Sequence, residues 1–241
     1  MFPLKDNVPT RSFPIVTVAL IAANVAVWLW EVQTGVEHDV LRYGYYPCTV
    51  EGPCTQPASL IPHLPWWEGA FSSMFLHASW VHVGGNMLFL WIFGNNVEDS
   101  MGHLRFVVFY VACGLAAALI QVFVTPASGV PMVGASGAIS GVMGGYVVLY
   151  PRARVYTLVP LGFFITTIVL PAWTMIGYWA LIQVFSGVGS LGADNEGGVA
   201  FWAHVGGLVA GIVLVKLFAR DDYVQEHRAG TWAPRRLGWS R

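Results

Sequence analysis

The feature that most constrains this chain is a series of long apolar segments that carry almost no charge. They run from Pro14 to Trp30, Trp80 to Phe93, Leu104 to Val124, Val133 to Tyr150, Pro171 to Ser186 and Val199 to Phe218. A helix needs about 20 apolar residues to cross a hydrocarbon core roughly 30 Å thick. Only 10% of the residues are charged, against about a quarter in soluble proteins. The pattern therefore predicts an all-α membrane protein, a bundle of six transmembrane helices.

The first apolar segment also has the length of a signal peptide. A signal peptide ends in small residues at its cleavage site, whereas Trp28-Leu29-Trp30-Glu31 is bulky and aromatic, as at a membrane interface. We therefore predict a first transmembrane helix here. The expected organisation is a cytoplasmic N-terminal segment (1–13), a six-helix membrane domain (14–219) and a cytoplasmic basic tail (220–241).

Two connecting stretches are unusually long. Residues 31–79 contain several apolar aromatic residues, which indicates a lobe lying against the membrane surface. Cys48 and Cys54 lie in this loop, where they either form a disulfide or remain unpaired thiols. The uncharged stretch from Val155 to Gly187 is divided by two prolines, so we expect an interfacial or re-entrant segment before the fifth helix.

The positions of the basic residues test this arrangement. If Met1 is cytoplasmic, every Lys and Arg except Arg42 falls on the cytoplasmic side. The positive-inside rule therefore favours six helices in the cell membrane, with both termini in the cytoplasm and residues 31–79 outside. The net charge of −1 gives no reason to expect a nucleic-acid partner.

Polar residues from three of these helices are expected at one depth. In this topology Asn86, Ser136 and His204 each follow shortly after the outer end of a helix, which at about 1.5 Å per residue puts them roughly 5 to 10 Å below the outer surface. His82 lies one turn above Asn86 on the same helical face. Taken singly, each of these residues is more often a helix-packing or hydrogen-bonding group than a catalytic one. Their convergence favours a functional site facing the bundle interior.

These residue types fit one kind of chemistry. A serine hydroxyl becomes a nucleophile when a base such as histidine takes its proton. Ser136 is therefore the candidate nucleophile and His204 the candidate base. The oxyanion formed by attack on an amide needs donors, which Asn86, His82 and backbone N–H groups near Ser136 supply. No acidic residue is expected at this depth, so a dyad fits better than a triad. The pattern requires no cofactor and no metal ion.

Three motifs together resemble the rhomboid family of intramembrane serine proteases. They are Gly134-Ala135-Ser136-Gly137, the H-x-x-x-N of His82 to Asn86, and Ala203-His204 followed by Gly207 and Gly211. Asn96-Val97-Glu98-Asp99 and Leu170-Pro171-Ala172-Trp173 are also similar to family segments, and the resemblance extends from about Phe13 to Leu217. It implies a rhomboid-like six-helix fold, in which the G-x-x-x-G motif lets the sixth helix pack closely on the fourth.

The resemblance also implies residue roles. Ser136 would be the nucleophile, His204 the general base, and His82, Asn86 and Gly134 the groups that stabilise the oxyanion. Substrates would be transmembrane segments of other membrane proteins, cleaved near the outer face of the lipid bilayer. His77 is expected to be structural.

This sequence departs from the family pattern at two places. Ser140 stands where some members have an aromatic residue that stacks on the histidine, so His204 must be positioned differently. Trp67-Glu68 lacks the arginine of the family's first loop.

Two other functions remain open on the sequence. A catalytically silent member of the same fold would bind transmembrane segments as a chaperone. A small-solute transporter would also place polar residues within the bundle, but the two halves of this chain show no internal repeat.

Overall fold

The computed structural model describes residues 2–50, 54, 64–161, 164–191 and 199–228. Its helices are α1 (Ile15–Thr34), α2 (Val36–Tyr43), α3 (Trp66–Ser72), α4 (Trp80–Phe89), α5 (Asn95–Met101), α6 (His103–Val124), α7 (Ser136–Leu149), α8 (Ala172–Ser190), α9 (Phe201–Phe218) and α10 (Asp221–Arg228). Its strands are β1 (Phe2–Lys5), β2 (Arg154–Leu161) and β3 (Phe164–Pro171). The protein is therefore mostly helical, as predicted.

Three of the described helices are long and apolar enough to cross a membrane, namely α1, α6 and α9. Helix α7 is apolar but has only 14 residues. The chain is thus a membrane protein, while the count of six spans stays a prediction.

The second predicted helix does not end at Phe93. A π-helical turn (Leu90–Gly94) joins α4 to α5, so the chain stays helical as far as Met101. The helix continues through the polar residues beyond Phe93 because the N-terminal segment forms hydrogen bonds with them. The Asp99 carboxylate accepts the backbone N–H groups of Arg11 at 2.7 Å and Ser12 at 3.0 Å.

Helix α1 is one turn longer than predicted, ending at Thr34 instead of Trp30. Its first turn has N–H groups without intrahelical partners, and the buried Glu98 carboxylate accepts those of Val16 at 2.9 Å and Thr17 at 2.8 Å. A carboxylate from α5 therefore caps α1 and fixes the two helices together.

Strands β2 and β3 form a β-hairpin, so the fold is mostly helical and the predicted all-α class is corrected. The interfacial or re-entrant position of this segment stays a prediction. Strands β2 and β3 pair antiparallel from Arg154 opposite Pro171 to Leu161 opposite Phe164, and β1 adds to the other edge of β2. The run is rich in Val, Ile and Thr, whose branched side chains fit a pleated surface better than a helix.

The loop after α1 folds back on the segment that precedes α7. A β-bridge joins Tyr45 to Met132, and the N–H of Cys48 donates to the carbonyl of Ser128 at 3.1 Å. Cys48 and Cys54 form a disulfide, so the first of the two alternatives is the correct one. Residues 51–53 and 55–63 of this loop lie outside the described part of the chain.

Helices α6, α7 and α9 pack against one another at the centre of the fold, and most residues of α7 are buried. A Cβ atom on Gly207 would overlap the carbonyl oxygen of Gly137, and one on Gly211 would overlap that of Gly141. The predicted close packing of these two helices through the G-x-x-x-G motif is therefore confirmed. The predicted tail (220–241) begins with α10, and its last residues, 229–241, lie outside the described residues.

Candidate active site

Ser136 is the first residue of α7, three residues later than the predicted start of this helix. The delay comes from Gly134, whose φ of 119° is a conformation that residues with a side chain rarely adopt. A Cβ atom at Gly134 would also lie 2.6 Å from His82 Nε2. Ser136 therefore lies at the positive end of the α7 dipole, where N–H groups have no partner within the helix.

The structure brings Ser136 and His204 into direct contact. His204 lies in the first turn of α9, and its Nε2 is 2.7 Å from Ser136 Oγ. The close backbone packing of α7 on α9 directly below holds the two first turns at this separation. The hydroxyl and the imidazole are thus within hydrogen-bonding distance, as nucleophilic catalysis requires.

Two residues of α8 contact the other side of the His204 ring. Gln183 Oε1 is 2.7 Å from His204 Nδ1, and the Trp179 ring lies 5.8 Å from the imidazole, centroid to centroid, tilted by 38°. The sequence analysis did not identify either residue. Gln183 could have been found by the rule applied to Asn86, because its side-chain amide lies in a helix that has no charged residue.

In the described part of the chain, the ring nitrogens of His204 bond to Gln183 and Ser136, not to Ser140. The Oγ of Ser140 donates to the carbonyl of Ser136 at 2.6 Å, so the side chain is turned back onto its own helix. The aromatic contact that the family pattern leads one to expect from α7 comes instead from Trp179 on α8.

Asn86 and His82 reach the site from α4. Ser79 caps this helix by accepting the N–H of His82 at 3.1 Å, which fixes His82 in the first turn. Asn86 is buried one turn below, and its Nδ2 is 3.0 Å from Nε2 of His77.

His77 is fully buried and holds Asn86 in place. Its Nδ1 faces the carbonyl of Phe75 at 3.2 Å, and a carbonyl can only accept. The proton therefore lies on Nδ1, and Nε2 accepts one of the two N–H groups of Asn86. The backbone N–H of His77 donates to the buried Glu31 carboxylate at 3.1 Å, so α1 anchors this arrangement.

A cavity of about 470 Å³ joins these groups. Ser136, His204, His82 and Asn86 all line it, with Trp179 forming part of the wall. A second cavity of only about 30 Å³ lies on the other side of Ser136, lined mainly by alanine and glycine.

Gly134 is placed differently from the other predicted site residues. Its N–H donates to the carbonyl of Ser73 at 2.8 Å, so this donor is already paired. Gly134 shapes the site by its backbone conformation and by leaving room for His82. Within the described residues, no group of three or more His, Cys, Asp or Glu side chains is arranged to hold a metal ion.

A sequence model of the Rhomboid domain family matches residues 64–221, more than half of the chain. The chain therefore belongs to the rhomboid family. The match covers every polar residue that lines the larger cavity.

Named relatives come from organelles and from bacteria. Rhomboid-like protein 11, chloroplastic, of Arabidopsis thaliana is 30% identical over 166 residues, which cover 67% of this chain and 56% of that protein. Rhomboid protein 1, mitochondrial, of Saccharomyces cerevisiae is 28% identical over 171 residues, which cover 66% of this chain and 45% of that protein. Rhomboid protease GluP of Bacillus subtilis is 30% identical over 153 residues, covering 64% and 26%. The chain thus spans about half or less of the length of these relatives.

Proposed function

We propose that this protein is an intramembrane serine endopeptidase that uses Ser136 as nucleophile and His204 as general base. The observation that carries the proposal is the 2.7 Å contact between Ser136 Oγ and His204 Nε2 in a cavity shared with Asn86 and His82. The similarity to a relative named a rhomboid protease supports it.

The first chemical step is attack of Ser136 Oγ on a peptide carbonyl. His204 Nε2 takes the hydroxyl proton, a covalent bond forms between Oγ and the carbonyl carbon, and the carbonyl oxygen becomes an oxyanion. The proton then passes from Nε2 to the leaving amine as the peptide bond breaks. Water hydrolyses the acyl-enzyme by the same proton transfers in reverse.

The oxyanion has donors on two sides. One N–H of Asn86 is held by His77, which leaves the second N–H for the cavity that Asn86 lines. The N–H groups of the first turn of α7 and the ring of His82 supply further donors. We leave Gly134 out of this set because its N–H is bonded to Ser73.

Substrates are proposed to be transmembrane segments of other membrane proteins, bound from the lipid bilayer. We further propose six spans, both termini in the cytoplasm and a site that opens to the extracytoplasmic side. The Cys48–Cys54 disulfide supports this orientation, because disulfides persist where the surroundings are oxidising.

The proposal is tested by reconstituting the protein with a reporter transmembrane segment and by labelling it with a fluorophosphonate probe. Ser136→Ala should abolish both cleavage and labelling, and His204→Ala should lower both by at least about a thousandfold, as expected when a nucleophile loses its base. Undiminished cleavage in either variant would exclude the proposed dyad.

The second candidate is a catalytically silent protein that binds transmembrane segments as a chaperone. It is favoured only by the size of the cavity, about 470 Å³. A binding protein would retain the reporter segment without reacting with the probe, so the labelling of Ser136 separates the two functions.

A further inference from the structure

We propose that Gln183 is the positioning residue for His204, and that it fixes the orientation and tautomer of the imidazole as an aspartate does in a catalytic triad. This inference rests on the proposed function, since it concerns the competence of His204 as a base. It assigns a role to a residue of α8 that belongs to none of the three motifs.

The two nitrogens of His204 have different partners. Nδ1 lies 2.7 Å from Gln183 Oε1, and Nε2 lies 2.7 Å from Ser136 Oγ. A carbonyl oxygen only accepts, so the proton of the neutral ring is on Nδ1. Nε2 is then left with a lone pair directed at the serine hydroxyl, which is the tautomer that a general base needs.

The other tautomer would be inactive in this geometry. With its proton on Nε2, the ring would donate to Ser136 Oγ and could not accept the serine proton. Gln183 therefore selects the competent state of the base through a hydrogen bond to the opposite ring nitrogen.

Gln183 is built into the inner face of α8. Its side chain is only 8% exposed, whereas those of Leu181 and Ile182 beside it are 57% and 42% exposed. Trp179, one turn earlier on the same face, contacts the ring of His204 as well. Two consecutive turns of α8 thus fix both the proton position and the plane of the imidazole.

A neutral acceptor suits this depth in the molecule. A buried carboxylate without a cationic partner is costly, whereas a glutamine presents the same acceptor geometry without a charge. The described polar neighbours of His204 are the amide of Gln183 and the hydroxyl of Ser136, together with the His82 ring across the shared cavity.

The test compares substitutions that keep or remove the acceptor. Gln183→Leu removes it at similar volume, Gln183→Met does so with a more flexible side chain in case the leucine variant does not fold, and Gln183→Glu keeps an acceptor oxygen at the same reach. The matched control is Gln121→Leu. Gln121 is 9% exposed and its Oε1 accepts the backbone N–H of Ala203 at 3.0 Å, so this variant also loses a buried hydrogen bond to α9.

Fluorophosphonate labelling of Ser136, kcat and KM for the reporter segment, and thermal unfolding are measured for each variant. We expect Gln183→Leu or Gln183→Met to lower kcat and the labelling rate by at least about tenfold, the equivalent of one hydrogen bond, with KM within about twofold of wild type. Gln183→Glu should label within about threefold of the wild-type rate but unfold at a lower temperature, because its buried carboxylate has no cationic partner. Gln121→Leu should also label within about threefold of the wild-type rate.

Wild-type labelling rates in Gln183→Leu would overturn the inference while leaving the proposed function intact. Equal losses in Gln183→Leu and Gln121→Leu would also overturn it, because they would reveal a general loosening of α9. Failure of the wild-type protein to label or cleave would instead remove the proposed function, and this inference with it.

Discussion

Helix α9 contacts α7 and α8 in two different ways. Against α7 the backbones themselves meet, because Gly207 and Gly211 leave no side chain between α9 and the carbonyl oxygens of Gly137 and Gly141. Against α8 the contact is made by side chains, with Trp179 and Gln183 reaching across to His204. One side of α9 is therefore held by main-chain packing and the other by individual side-chain groups.

The difference separates two requirements of a base. The distance from the imidazole to the serine depends on where α7 and α9 lie, and backbone packing fixes this distance with little freedom. The tautomer and plane of the ring depend on α8, which has about as many exposed residues as buried or half-buried ones. We therefore expect changes at the first interface to affect folding, and changes at the second to affect reactivity alone.

The largest effect is expected from Gly211→Val. Its Cβ would overlap the carbonyl oxygen of Gly141, which is backbone and cannot move aside without shifting a helix. Overpacking typically costs about 1 to 3 kcal/mol and occasionally more, and a clash with backbone belongs at the upper end of this range. We expect a large drop in the thermal unfolding temperature together with loss of probe labelling.

The control for this variant is Gly177→Ala on α8. A Cβ at Gly177 would meet nothing within 4 Å, and alanine favours a helix by about 1 kcal/mol over glycine. Unfolding temperature and labelling should therefore be unchanged or slightly improved. If both glycine variants behaved alike, the contrast between the two interfaces would be wrong.

An intermediate effect is expected at the other end of α7, where Asp6 of the N-terminal segment is bound. Tyr146 donates a hydrogen bond to the Asp6 carboxylate. Burial raises the pKa of Asp6 from 3.8 to about 6, and the bond from Tyr146 opposes this only in part. The folded protein therefore holds the Asp6 proton more tightly than the unfolded chain does.

It follows that the contribution of Asp6 to stability is greatest below pH 3.8 and is lost as the pH rises through about 6. We expect wild-type stability to fall by about 2 kcal/mol relative to Asp6→Asn over this window, at roughly 1.4 kcal/mol per pKa unit and allowing for partial exposure. The measurement is thermal unfolding of both proteins from pH 4 to pH 7. A difference between them that does not change with pH would contradict the assignment to Asp6.

The bundle and the central pair of the site could be predicted because both follow from local patterns. Apolar length predicted α6 within one residue at its start, and the order of polar residues along the helices brought Ser136 and His204 together. The predicted depth was sufficient for this, because two neighbouring helices that cross the membrane in the same direction place residues of equal depth side by side.

The remaining features depend on contacts between distant parts of the chain. The β-hairpin carried a local signal in its branched residues, but its pairing with β1 joins Phe2 to Leu158 and has no counterpart in any local pattern. Likewise, α5 remains helical beyond Gly94 because Asp99 binds the N-terminal segment. The orientation of His204 was left open for the same reason, since it depends on which face of α8 is turned inward.

The smallest effect is expected from Trp179→Leu, which removes the ring contact with His204 and keeps the hydrogen bond that His204 Nδ1 donates to Gln183. Contacts between aromatic rings contribute about 0.5 to 1.5 kcal/mol, or roughly twofold to thirteenfold in a rate. We expect the labelling of Ser136 to slow by about fivefold, with the unfolding temperature close to that of wild type because Trp179 is only partly buried.

Trp179→Phe is the matched variant, since it keeps a ring over the imidazole and should recover most of the rate. A loss in Trp179→Leu greater than that in Gln183→Leu would invert the assignment, because it would make the ring contact, and not the hydrogen bond, the main determinant of His204 orientation. The two residues lie one turn apart on α8, so comparing these variants distinguishes the plane of the imidazole from the position of its proton as the property that α8 controls.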